Sequence, residues 1–510
     1  LTSTSGHAVV AGNKVSLRVF SINDPAPEND PVSVQWTQSA GPGIAIEETE
    51  NSLLIFNAPQ VTKDTVISFE VTAVVGEQER KDTVSILIET ADDIANNAYF
   101  DDRVAKTKPF KSDSPYAESL TECVYSNTLT SSCTLETLPL LAQTTLSPTI
   151  EQVMDRVVVS HPWMGERFEQ FLREKDEHGD LIKLLRATTA IVISYDIRPS
   201  FYWAATGAIY LDPDYLWLTA TERDTINEEP DYRSDFGNSL QFSIPWRYVK
   251  ANDYAFDNFQ VERRENRTMD SITYRLSYLL YHELAHANDY LPSTRWSSLD
   301  PEERILDEVL EQNIMSDTLS VLYPLNSQQM KDLAQVRYSG TTATSSQKTL
   351  QPQDITPLFE PDGGVHFYSY RSEREDFAML FEELMMQVRF GVYRDVAITN
   401  NPDNDLDESG DYIVTWGQRG RLAEYQIAPR MKYATNAVMP EFDVDNAINQ
   451  LPSTQSFNVG QTWQDNLVLD GNVNGLKRNT IASRMLSSTK QLENKDRKGY
   501  VYYHKPLPKK

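Results

Sequence analysis

The sequence predicts a multidomain protein, an all-β N-terminal part followed by an α+β part. Three observations carry this. Apolar residues alternate with a period of two over about the first ninety positions. From about residue 150 the apolar spacing becomes helical, and the strand-like runs there come before the long helices instead of alternating with them. A chain of 510 residues is also longer than one ordinary domain.

Taken in order, "VISFEVTAVV" buries Ile67, Phe69, Val71 and Ala73 on one face, and "DTVSILIE" does the same with Val84, Ile86 and Ile88. Such runs are half-buried strands. Turn-rich segments, "INDPAPENDP" and "QSAGPG", separate them, and Trp36 is suited to fill the space between two sheets. The strings "VSVQWTQSAGPG" and "LLIFNAPQVTKDTVISFEVTAVV" resemble PKD-like, Ig-like sandwich domains over residues 1–92. That resemblance implies a spacer or binding module, with a glycan or protein as its class of ligand, and no catalysis.

Residues 93–149 read as an irregular linker region. They hold the chain's two cysteines, Cys123 and Cys133. A lone close pair favours a disulfide and an exporting compartment, and the spacing is wrong for a zinc knuckle. Helical spacing begins with Ile150, Val153, Met154 and Val157. Two strands follow, "ATTAIVISYDI" and "TGAIYL", the second broken by Asp212-Pro213. "TGAIYL" is a candidate sheet edge for an extended ligand, with an ordinary core strand as the equal alternative. Three long helical segments come next: "TMDSITYRLSYLLYHELAHANDYL", "PEERILDEVLEQNIMSDTLSVLY" and "REDFAMLFEELMMQVRFG". Residues 150–439 form the α+β domain in this reading, and 440–510 a polar C-terminal extension ending in "KPLPKK".

Composition narrows the function classes. The chain is 40% hydrophobic and 24% charged, a globular balance. A net charge of −27 argues against nucleic acid, whose binders need a basic surface. No run of eighteen apolar residues occurs, so no transmembrane helix is predicted. The chain begins at Leu1 with no basic-then-apolar leader, and the expectation is a signal or lipoprotein anchor removed ahead of this numbering. An extracellular, periplasmic or bacterial cell-surface location follows from that expectation and the cysteine pair.

"YHELAHANDY" holds the chemistry. His282 and His286, two of seven histidines, are stacked i,i+4 neighbours on one helix face and can present ring nitrogens to one ion. Glu283 points about 100° away, so it is poorly placed as a ligand but well placed to act as general base on a water that the metal acidifies. Ile272, Leu276, Leu279 and Leu280 form the apolar stripe that would bury this helix. Catalytic zinc takes three protein ligands. Asp289 could be the third ligand or could support a ligand histidine from behind. Glu311 lies one helix later, as in thermolysin-like enzymes, but Ser316-Asp317 is two residues out of register with their pattern. Glu375 is the third candidate.

"HELAHANDY" followed by "YSYRSEREDFAMLFEEL" resembles the zincin metallopeptidases of the anthrax lethal-factor-like type, which include the Pro-Pro endopeptidases. The resemblance covers about residues 150–395, and its specific part is these two motifs. It implies a Zn²⁺ held by His282, His286 and Glu375, with Glu283 as base and Tyr368 steadying the oxyanion. It also implies a supporting role for Asp289 and a peptide or protein substrate. The family's Thr-Asn ahead of the glutamate is absent, Tyr370 offers a second tyrosine, and the longer gap leaves room for a helical insertion at about 300–340. The expectation is a secreted or cell-surface zinc endopeptidase. The rivals are a binding protein with an inactive zincin domain and a zinc hydrolase acting on a non-peptide amide.

Weaker signals are read as structural. Asp403, Asp405 and Asp407 alternate like a calcium loop, but Glu408 stands where the EF-hand needs glycine. His366 and His161 are single histidines, left out of the ligand set.

Overall fold

Alternation in the first ninety residues becomes eight strands in two sheets. In the computed structural model, which describes residues 1–20, 33–50, 52–75, 78–229, 236–259, 264–311, 313–402 and 409–469, these are β1 (Thr2–Ser3), β2 (Ala8–Val10), β3 (Lys14–Phe20), β4 (Ser33–Ala40), β5 (Ile46–Glu50), β6 (Leu53–Asn57), β7 (Thr65–Val75) and β8 (Gln78–Glu89). The sheet orders are β1-β3-β6-β5 and β2-β8-β7-β4. Strands β7 and β8 pair with Ile67 opposite Ile86 and Phe69 opposite Val84. The alternating residues therefore share one buried face. The rings of Phe56 and Phe69 meet 5.2 Å apart between the sheets, and Trp36 is buried in the same core.

A five-stranded sheet lies at the centre of the α+β part. It contains β9 (Lys108–Pro109), β10 (Val157–Val159), β11 (Ile191–Ile193), β12 (Phe201–Trp203) and β13 (Ala208–Leu211), in the order β12-β13-β11-β10-β9. The inner strands are parallel, while β9 and β12 run antiparallel at the two edges. Of the two readings of "TGAIYL" the core strand is the one found, because β13 is paired on both sides and the edge falls to β12. One expectation changes: the helix begun at Ile150 ends at Met154. Val157 instead opens a run of three valines that joins the sheet, where branched side chains fit better. Residues 93–149 supply β9 and cover the sheet, with Phe100, Leu120, Val124 and Leu138 packed on Val158, Val192, Trp203 and Tyr210. Cys123 and Cys133 form a disulfide inside this cover.

A further, six-stranded sheet was not foreseen from sequence. It is built from β14 (Phe242–Ser243), β15 (Trp246–Lys250), β16 (Asp253–Tyr254), β17 (Tyr393–Asn400), β18 (Val414–Arg419) and β19 (Gln455–Ser456). Its order is β16-β15-β17-β18-β19, with β14 on β17. β19 and Trp463 tie the described part of the 440–510 stretch to this sheet. The Asp403, Asp405 and Asp407 positions lie outside the described residues.

Two helices position the site. The histidine helix, Met269–Tyr290, starts at a Thr268/Ser271 capping box and buries the predicted stripe. The glutamate helix, Glu373–Phe390, is capped by Ser372 and packs against it. Three helices, Ile305–Leu310, Met315–Leu322 and Gln328–Ser339, occupy the expected insertion. The whole is a mixed architecture of several sheets and many helices, compatible with a multidomain α+β chain. Among the described residues no helix is long and apolar enough to cross a membrane.

Candidate metal centre

The histidine helix presents His282 and His286 on the face that meets the glutamate helix. The two Nε2 atoms lie 3.1 Å apart. Glu375 Oε2 is 3.1 Å from His282 Nε2 and 3.4 Å from His286 Nε2. All three side chains are fully buried. Ligand bonds of about 2.0–2.1 Å in a tetrahedral site put neighbouring ligand atoms about 3.3 Å apart, so this triangle has the size of one face of such a site. The donor set, two imidazoles and one carboxylate, is one that zinc takes.

Glu283, Glu375, Glu382 and Glu383 are all buried here, with Arg371 against Glu375 and Arg394 against Glu382 and Glu383. Burial pushes the His282 imidazole down, but Glu375 and Glu382 outweigh it and carry the group up to about 9. His286 goes the other way, lowered by burial to about 4. Burial lifts Glu283 to about 8, against the attraction of His282. Neither Glu283 oxygen makes a close hydrogen bond, an unusual condition for a buried carboxylate and one typical of functional sites.

The other sequence candidates separate cleanly. Glu311 is exposed at the end of helix Ile305–Leu310 and does not join the cluster, because the chain turns outward before the Met315 helix begins. Asp289 is buried but turned to helix Met315–Leu322, where its two oxygens accept the Ser316 N–H (2.7 Å) and hydroxyl (2.6 Å). Tyr368 lies in the short turn Phe367–Tyr370, and its hydroxyl donates to Glu375 Oε1 at 2.7 Å. Tyr370 instead packs its ring on Phe359. His366 is no ligand: its Nδ1 accepts the Tyr368 N–H at 3.1 Å and so shapes that turn. His161 packs on Tyr195, far from this chemistry.

Three neighbours were missed from sequence. Arg371 Nη1 donates to Tyr368 Oη (2.9 Å) and to Glu375 Oε1 (2.7 Å), from one turn before the glutamate. Glu382 lies 3.8 Å from His282 Nδ1. Arg394 holds Glu382 through both carboxylate oxygens at 2.9 Å. Spacing could have found Glu382, which is at i+7 from Glu375 on one face of the glutamate helix.

No protein-family model and no curated protein matches the chain. Among solved structures it is similar to a 2,6-sialyltransferase of Vibrionaceae Photobacterium sp. JT-ISH-224, described in complex with CMP and lactose, at 16% identity and a TM-score of 0.16. The overlap covers 18% of each chain. A sialyltransferase from Photobacterium damsela matches at 19% identity and a TM-score of 0.15, over 18% of this chain and 19% of that one. Overlaps this short and loose carry no argument about fold or function.

Proposed function

We propose that the chain is a zinc-dependent endopeptidase whose metal is held by His282, His286 and Glu375. One observation carries the reading: three ligand atoms from two helices converge at tetrahedral-face distances, with a buried carboxylate, Glu283, one residue from the first histidine. Zinc bound there would acidify a water and polarise a substrate carbonyl. Glu283 takes the proton from the attacking water and returns it to the leaving amine. Tyr368 and Arg371 stand beside Glu375, where their O–H and N–H groups can stabilise charge developing on the carbonyl oxygen. An extended substrate would pair with the outer edge of β12 by strand addition. The zincin arrangement of the α+β part, the Ig-like nature of the N-terminal sheets and an exported location, favoured by the disulfide, belong to the same proposal.

Complete burial of His282, Glu283, His286 and Glu375 favours one second reading, a binding protein that keeps the metal site and does not turn over. The two are told apart by metal analysis of the purified chain and a peptide-library cleavage screen with and without chelator. Zinc with chelator-sensitive cleavage supports the peptidase. Zinc without cleavage supports the binding protein, and a chain that takes up no zinc defeats both.

A further inference from the structure

Glu375 and Glu382 are seven residues apart on the glutamate helix, two turns along one face. The His282 ring lies between them. Glu375 Oε2 is 3.1 Å from its Nε2, and Glu382 Oε2 is 3.8 Å from its Nδ1. Glu382 is itself fixed from behind: the Tyr248 hydroxyl donates to its Oε1, and Arg394 Nη2 lies 2.9 Å from both oxygens. Tyr248 comes from β15 and Arg394 from β17, so the six-stranded sheet clamps this carboxylate in place. Arg394 also has Glu383 at 3.4 Å.

We propose that Glu382 is a positioning residue for the metal centre, accepting the Nδ1–H of His282 so that the Nε2 lone pair faces the ion. This rests on the proposed zinc site. A metal-bound histidine is oriented, and its tautomer fixed, by the partner of its other ring nitrogen. A carboxylate is the strongest such partner in a buried site. At 3.8 Å the pair is in contact but beyond hydrogen-bond length. Such contacts in unliganded sites are commonly long and tighten on loading. Glu382 touches no substrate in this role. It acts through His282 alone.

The test measures zinc affinity by chelator competition in the full chain, for wild type, Glu382→Gln and Glu382→Leu, with circular dichroism to check folding. The glutamine variant keeps an acceptor oxygen and is expected to weaken zinc about 10-fold, while the leucine variant removes the acceptor and costs about 100-fold. A separate measurement needs no variant: nitrogen-15 NMR of zinc-loaded wild type should show a protected proton on His282 Nδ1. A folded Glu382→Leu protein with wild-type zinc affinity overturns the proposal, and so does a His282 ring with no Nδ1 proton. Either result leaves the zinc reading intact. Wild type that binds no zinc removes the zinc reading, and this inference with it. If the Glu382→Leu substitution prevents folding, the NMR result alone decides.

Discussion

In the proposed peptidase Glu283 is the base, and this role separates from that of the proposed ligands by experiment. Glu283→Gln keeps the shape and removes the base, so peptide cleavage should fall by about 10²–10⁴-fold while zinc content by elemental analysis stays at wild-type level. Glu375→Ala should lose zinc and cleavage together, and full zinc occupancy in that variant would end its assignment as third ligand. Asp289 makes a prediction of a different kind. Burial raises its carboxyl to about 6, above the value near 4 of an unfolded chain. The folded state therefore holds this proton more tightly, and stability from the group is lost as pH rises from about 4 through 6. Asp289→Asn removes the ionisation and can still bond Ser316. Its stability relative to wild type in urea unfolding should thus be higher at pH 7 than at pH 4, by up to about 3 kcal/mol. A pH-independent difference would show that Asp289 is not held as the structure has it.

At the scale of elements, what could be read in the sequence was what is local. The apolar stripe Ile272, Leu276, Leu279 and Leu280 and the pair His282/His286 repeat within two or three turns, so periodicity alone located the histidine helix. The six-stranded sheet could not be read that way. Trp246 pairs with Val396, across a stretch that includes both site helices, and nothing in either short strand names its partner. Glu311 and Asp289 stayed open for the same reason. Choosing between three acidic residues needs the path of the intervening chain, which turns Glu311 outward and Asp289 onto Ser316. The cover over the central sheet gives a stability prediction. Cys123 and Cys133 close a loop with a separation of ten residues, so replacing both by serine should cost about 3 kcal/mol on the chain-entropy model. The cover packs on the face formed by Val158, Val192 and Tyr210, and limited proteolysis of the double variant should cut first within 93–149. Cutting elsewhere at an unchanged rate would show that the disulfide does not hold the cover down.

Over the whole molecule, the two N-terminal sheets are joined to the α+β part by more than a tether. Arg18 reaches Glu228 at 2.5 Å, the Ser5 N–H donates to Asp224 at 2.8 Å, and the Glu228 N–H donates to the Ser16 hydroxyl at 2.9 Å. The most buried of these links is Tyr195, just past the end of β11, whose hydroxyl oxygen accepts the Val10 N–H at 2.9 Å and the Asn13 side-chain amide at 3.1 Å. Tyr195→Phe keeps the ring against His161 but leaves two buried donors without their acceptor. Each such loss costs about 1–3 kcal/mol, all of it at the junction and none inside either core. Wild type should therefore unfold in one calorimetric transition, and Tyr195→Phe should resolve a second, lower one belonging to the N-terminal sheets. Cleavage of short peptides should be unaffected, because Tyr195 touches none of the metal-site residues. A variant that still melts in a single transition at the wild-type temperature would mean that the other links across the junction hold the sheets without Tyr195.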